Sequence, residues 1–95
     1  MAAIMLAHVK VEDYDRWRAT FESHMETRKN GGCLGTHIFY NAKDKKEIII
    51  NFQWDSEENA QKWMSSDEAR QAMADAGLIG SPEVWFLEDG GRTAS

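Results

Sequence analysis

Three histidines, one cysteine and four tryptophans are the residues of this chain with the most chemistry to offer. His24 is the most suggestive of them. At about 100° per residue, Trp17, Phe21, His24 and Arg28 fall along one narrow stripe of a helix, with Tyr14 and Met25 at its flank. An imidazole beside aromatic walls can take and return a proton near neutral pH. This makes His24 the candidate catalytic base and Trp17, Phe21 and Arg28 candidates for contact with a substrate. The same stripe also fits a filled core built on Trp17 and Phe21, with His24 and Arg28 at its rim, because long side chains keep their polar ends wet. His8 and His37 lie in apolar, strand-like stretches, so all three histidines can approach one site.

The remaining groups narrow the chemistry. The histidines lack the short spacing of metal-binding motifs, and no metal is expected. Cys33 follows Gly32 with no base or cation cluster beside it, which suits a small buried filler better than a nucleophile. No Ser-His-Asp arrangement, glycine-rich phosphate loop or paired-carboxylate motif is present, so hydrolysis and nucleotide binding lack their residues. Trp17, Trp54, Trp63 and Trp85 come from four separate segments. Either they pack the core, or they line a pocket between helices and sheet that suits a planar organic ligand.

The elements that position these groups follow from local pattern. Residues 3 to 11 are apolar and partly β-branched, as a short strand requires. Asp13 offers an N-cap for a helix running to about Lys29, where Asn30-Gly31-Gly32 tolerates a left-handed stop. Residues 33 to 41 and 46 to 54 read as a hairpin joined by the polar turn 42 to 45. Asp55 or Ser56 caps a second helical region, which breaks and restarts at Ser65-Ser66-Asp67-Glu68 and ends at Gly77. Pro82 leads into a last strand over 83 to 88, and residues 89 to 95 form a small, polar, flexible C-terminal tail.

The order is βαββαβ, which predicts an α+β, ferredoxin-like domain over residues 1 to 88. Its four-stranded antiparallel sheet carries both helical regions on one face. In the third strand Ile48, Ile50, Phe52 and Trp54 share one face, and Ile49, Asn51 and Gln53 share the other. The dry face is assigned to the helices and the mixed face to a second copy of the chain, where its few polar groups find partners. At 95 residues a lone domain has much surface for its volume, which also favours a homodimer. The net charge of −5, with dispersed Lys and Arg, disfavours nucleic acid. The N-terminal stretch lacks a basic run ahead of its apolar residues, and no apolar run reaches membrane-spanning length, so the expectation is a cytoplasmic protein that does not associate with membranes.

With this order, the stretch Phe52-Gln53-Trp54-Asp55-Ser56-Glu57-Glu58-Asn59-Ala60, followed by Trp63-Met64-Ser65-Ser66-Asp67, resembles the antibiotic-biosynthesis-monooxygenase-like domains of the dimeric α+β-barrel superfamily. The resemblance covers almost the whole chain. It implies a homodimer whose sheets face each other as a barrel, with a pocket in each subunit. It also implies, as one branch, cofactor-free oxygenation of an electron-rich aromatic or polyketide-like substrate, for which His8, Trp17, His24 and Trp54 are the matching residue types. The alternative is a non-catalytic dimeric binding or stress-associated protein. A third branch degrades haem and is similar at Trp54, Trp63 and Ser66-Asp67. Its haem-ligating histidine would fall at Met73 and its first-strand asparagine near His8. A thioether is a poor sole ligand for that iron, which leaves His8 and His24 as the remaining imidazoles on this reading.

Overall fold

A computed structural model describes residues 2–95. Four strands and four helices follow in the order β1 (Ala3–Val11), α1 (Tyr14–Ser23), α2 (Met25–Asn30), β2 (Cys33–Asn41), β3 (Asp44–Trp54), α3 (Glu57–Met64), α4 (Asp67–Asp75) and β4 (Leu78–Leu87). The strands form one antiparallel sheet in the order β2-β3-β1-β4. Its overall dimensions are 35 × 33 × 20 Å, the short axis matching one sheet and one helix layer at about 10 Å each. Among the described residues, no helix is long and apolar enough to cross a membrane.

The alternation expected in β3 decides which face the helices cover. Ile48, Ile50, Phe52 and Trp54 are all buried, and so are Met5, Ala7, Val9 and Val11 of the neighbouring β1. Both sets meet Trp17, Ala60 and Ala76 in one core cluster under the helices. The other face carries Ile49, Asn51 and Gln53 beside Ile4, Leu6 and His8, as the β1–β3 register requires. Among the described residues, nothing covers it. Phe39, Ile49, Trp85 and Leu87 lie there, each at least 40% exposed.

Capping fixes the helix starts. The Asp13 carboxylate accepts from the backbone N–H groups of Asp15 (3.0 Å) and Arg16 (3.5 Å). The hydroxyls of Ser56 and Ser66 accept from Asn59 and Ala69, both at 3.1 Å. Each bond satisfies a donor that the first helical turn cannot.

The boundaries differ from expectation in three places. The first helical region is interrupted at His24, where φ is −99° and ψ is 9°. The Ser23 hydroxyl donates to the Thr20 carbonyl at 2.6 Å, and the His24 N–H turns to the carbonyls of Phe21 and Glu22. A short side chain thus competes with the helical ladder and breaks it. The hairpin turn is confined to residues 42–43, with Asn41 paired to Asp44 and β3 beginning two residues earlier than expected. β4 begins at Leu78 rather than 83, because Leu78 and Ile79 already pair with Val11 and Lys10 before the register shifts. Gly80, at φ 73°, and Pro82 belong to that irregularity inside an edge strand, where a missing donor is tolerated.

Gly32 closes the connection from α2 into β2. Its φ is 114°, a Cβ on it would sit 2.5 Å from Asp55 Oδ1, and its carbonyl accepts from the Asp55 N–H at 2.9 Å. Gly32→Ala is therefore expected to lower stability by about 1–3 kcal/mol. Gly35→Ala, whose Cβ meets nothing within 4 Å, is expected to change it by less than about 1 kcal/mol. Equal urea midpoints for the two variants would contradict this account of the turn.

Candidate functional site

The helix layer does not fill the space above the sheet. Side chains of β1, β3 and β4 form a floor that includes Ala7, Ile50 and Val84, and α1 supplies one wall through Trp17, Thr20 and Phe21. The opposite wall is α4, which presents Ala69, Ala72 and Ala76. Residues three and four apart stack on one side of a helix, so Met73 is the one long side chain on a face otherwise made of methyl groups. The result is a cavity of about 90 Å³. That exceeds the space one water needs and falls short of the roughly 300–1,000 Å³ that enclose a drug-sized ligand. Met5, Met64 and Met73 also line it, and their unbranched side chains can shift to admit a larger guest.

Three polar side chains break the apolar lining, Thr20, His24 and Arg28. The interruption between α1 and α2 places His24 at their junction, half-buried, and its ring makes no hydrogen bond among the described residues. Arg28, one turn further on, is only 5% exposed. Its guanidinium lies over the Phe21 ring with Cζ 3.8 Å from the centroid, and Nη1 donates to the Phe21 carbonyl at 2.8 Å. Phe21 in turn stacks on Trp17, their centroids 4.9 Å apart. Burial pushes the Arg28 pKa down from its ordinary value, partly countered by nearby Cys33, yet an arginine remains charged in proteins. Burial likewise pushes the Cys33 thiol up, which keeps it protonated and unreactive.

Four of the six residues singled out from the sequence therefore meet at this cavity: Trp17, Phe21, His24 and Arg28. Two do not. Strand alternation puts His8 on the uncovered face, between Glu47 at 3.5 Å and Glu83 at 3.3 Å, and the sheet separates it from His24. His37 pairs with Asn51 on that same face, so the three histidines do not converge. Trp54 shares the helix-covered face but lies at the end of β3, paired with Ala3 and Cys33. It is fully buried there and its indole N–H finds no acceptor. The tryptophans divide accordingly: Trp54 is core, Trp17 and Trp63 line the cavity, and Trp85 stands exposed on the open face. Among the described residues no three of His, Cys, Asp and Glu gather at metal-binding distance. Met73 does line the cavity, so the position that matches a haem-ligating histidine carries a thioether, and the residues present do not fit that group.

The alanine stripe of α4 and the methionines are what reading by residue type passes over. Their signal was present in Ala69, Ala72 and Ala76, whose spacing marks a helix face too small to fill a core.

Comparison with known proteins agrees with this architecture. The family model described as "Antibiotic biosynthesis monooxygenase" matches residues 1–75. No curated protein sequence matches the chain significantly. Among solved structures, a Bordetella bronchiseptica protein assigned to the antibiotic biosynthesis monooxygenases superposes with a TM-score of 0.81 at 12% identity, over 93% of this chain and 96% of its own. SnoaB, a cofactor-independent oxygenase from Streptomyces nogalater, superposes with a TM-score of 0.79 at 6% identity, over 99% and 98%. A Mycobacterium tuberculosis protein does so with a TM-score of 0.70 at 16% identity over the full length of both chains. At such identities the structural likeness shows the fold alone.

Filling the cavity tests whether it exists. Ala72→Leu adds three carbons to a wall that faces empty space, and is expected to raise stability by about 1 kcal/mol, read as a higher urea midpoint. A destabilised variant would mean that the space between α4 and the sheet is already occupied.

Proposed function

The chain belongs to the antibiotic biosynthesis monooxygenase family, and from that premise we propose that it binds a small aromatic or polyketide-like molecule in the cavity under α1 and α4 and oxygenates it without a cofactor. The observation that carries this reading is a single unpartnered imidazole, His24, opening onto an otherwise apolar, aromatic-walled space. His24 acts as the general base, with Trp17 and Phe21 as the wall against which a planar substrate stacks.

The chemistry closes without an added reductant. His24 removes a proton from an activated CH₂ flanked by aromatic rings, giving a carbanion or enolate that donates electrons to O₂. One oxygen atom ends as the new carbonyl at that carbon, and the other leaves as water with the two hydrogens. The cofactor-independent oxygenase with the same fold supports such a reaction class. A water-poor pocket favours it, because the carbanion is otherwise quenched by solvent protons.

The uncovered sheet face supports a homodimer as the working form. Exposed Phe39, Ile49, Trp85 and Leu87 share that face with Asn51. A second copy docked sheet to sheet removes that apolar area from water.

One observation favours a second reading. A 90 Å³ cavity is small for a polycyclic substrate, which suits a non-catalytic dimeric binding module for a smaller guest. Oxygen uptake with anthrone, whose oxidation to anthraquinone follows the balance above, distinguishes the two. Wild-type protein freed of metals and flavins is expected to consume oxygen well above the uncatalysed rate. His24→Ala is expected to lower kcat by about a hundredfold or more while leaving the circular dichroism spectrum unchanged. Binding without oxygen uptake would support the binding module, and an unaffected His24→Ala would remove His24 as the base.

A further inference from the structure

Among the described residues, Arg28 carries a charge that no carboxylate pairs. The sequence holds 16 acidic residues, and arginines on the surface use them: Arg16 lies 3.9 Å from Glu12, Arg18 2.8 Å from Glu22 and Arg70 2.7 Å from Asp67. Those pairs are exposed and worth little. Arg28 is the buried one, at 5% exposure, yet among the described residues no carboxylate lies within 4.0 Å of it. A guanidinium has five N–H donors in a planar fork, and the only side-chain hydrogen bond found for this one uses a single nitrogen, Nη1, toward the Phe21 carbonyl. The ring of Phe21 offers its face, which attracts the cation but supplies no countercharge.

Removing an ion from water is costly unless an opposite charge meets it, and buried charges in proteins are accordingly paired. Here the one side left for a partner is the cavity, which Arg28 lines together with His24. We propose that the ligand of this cavity carries a carboxylate and that Arg28 receives it. The proposal rests on the reading of the cavity as a ligand site, takes a guest smaller than the two-ring substrate of the oxygenation above, and adds that guest's chemical class, a small planar aromatic acid. Geometry favours carboxylate over bulkier anions. Two coplanar oxygens match the fork of a guanidinium, one negative charge matches one cation, and the space of about 90 Å³ leaves room for little beyond a single ring. With its carboxylate on Arg28, that ring lies against the edges of Phe21 and Trp17 and passes beside His24, one turn away on the same wall. Arg28 is then the specificity-determining contact, and Thr20, the remaining polar group of the lining, is free to bond a ring substituent.

Benzoate and its neutral isostere benzamide test this directly, by isothermal titration against the full chain and against Arg28→Gln and Arg28→Lys. Wild type is expected to bind benzoate at least about tenfold more tightly than benzamide, the ratio that a charge-assisted pair supplies. Arg28→Gln is expected to erase that preference, lowering benzoate affinity at least about tenfold more than benzamide affinity. Arg28→Lys is expected to keep part of it, since an ammonium is a point charge without the fork. Equal binding of the two probes by wild type, or a preference that survives in Arg28→Gln, would overturn the carboxylate assignment and leave the cavity as a neutral-ligand site. Binding of neither probe at about 10 mM would overturn both the assignment and the pocket itself. Should Arg28→Gln fail to fold, as judged by circular dichroism, the wild-type ratio and Arg28→Lys decide the matter.

Discussion

The structure depends on a sheet that has helices on one side only. Because successive side chains in a strand point to opposite faces, β3 and β1 each carry two complete sets of residues. Ile48, Ile50, Phe52 and Trp54 join Met5, Ala7, Val9 and Val11 beneath the four helices and form the core. Ile49, Asn51 and Leu6 are committed by the same alternation to a face the chain cannot cover with its own elements. Apolar area left in water costs about 25 cal/mol per Å², so every large side chain on that face is a demand for something to lie on it. The proposed partner and the observed cavity are thus two consequences of one arrangement, on opposite sides of a single sheet.

On the helix side, local chemistry shapes the cavity. A continuous helix from Asp13 to Asn30 would carry its backbone ladder unbroken past His24. The Ser23 hydroxyl takes the Thr20 carbonyl instead, and α2 restarts with His24 at the junction and Arg28 one turn beyond it. Across the gap, α4 presents Ala69 and Ala72 beside Met73, too little side chain to close the space. Small side chains on one wall and an aromatic stack on the other leave a slot, and the interrupted helix brings to it the only two ionisable groups of the lining, His24 and Arg28. A packed core has no use for an unpaired guanidinium, which is why Arg28 is the residue that most strongly separates a binding site from a packing defect.

Much of this was legible in the residues. The caps at Asp13, Ser56 and Ser66, the stop at Gly31-Gly32 and the break before Asp67 are local signals, and the elements follow them. The face assignment of β3 was legible too, because all four members of its dry set are large and apolar. What escaped was set at long range. The start of β4 depends on Val11 and Lys10 pairing with Leu78 and Ile79, which no signal near Gly80-Ser81-Pro82 announces. The placement of His8 illustrates a different failure. Its parity in β1 opposes that of Met5, Ala7 and Val9, so the alternation that assigned the faces of β3 already puts it across the sheet from His24. Trp54 has the right parity but the wrong end of the strand, a distinction that requires the register with Ala3 and Cys33. The stripe of Trp17, Phe21, His24 and Arg28 survived the helix break because those residues still face the sheet on either side of it.

Sedimentation equilibrium over a dilution series tests the central claim, that one face of this sheet belongs to a second copy of the chain. The account predicts a mass twice the 10.8 kDa of the chain, falling to that of the single chain only on strong dilution or when Ile49 is replaced by lysine. A well-folded species of single-chain mass at every concentration, with Trp85 open to water throughout, would contradict it.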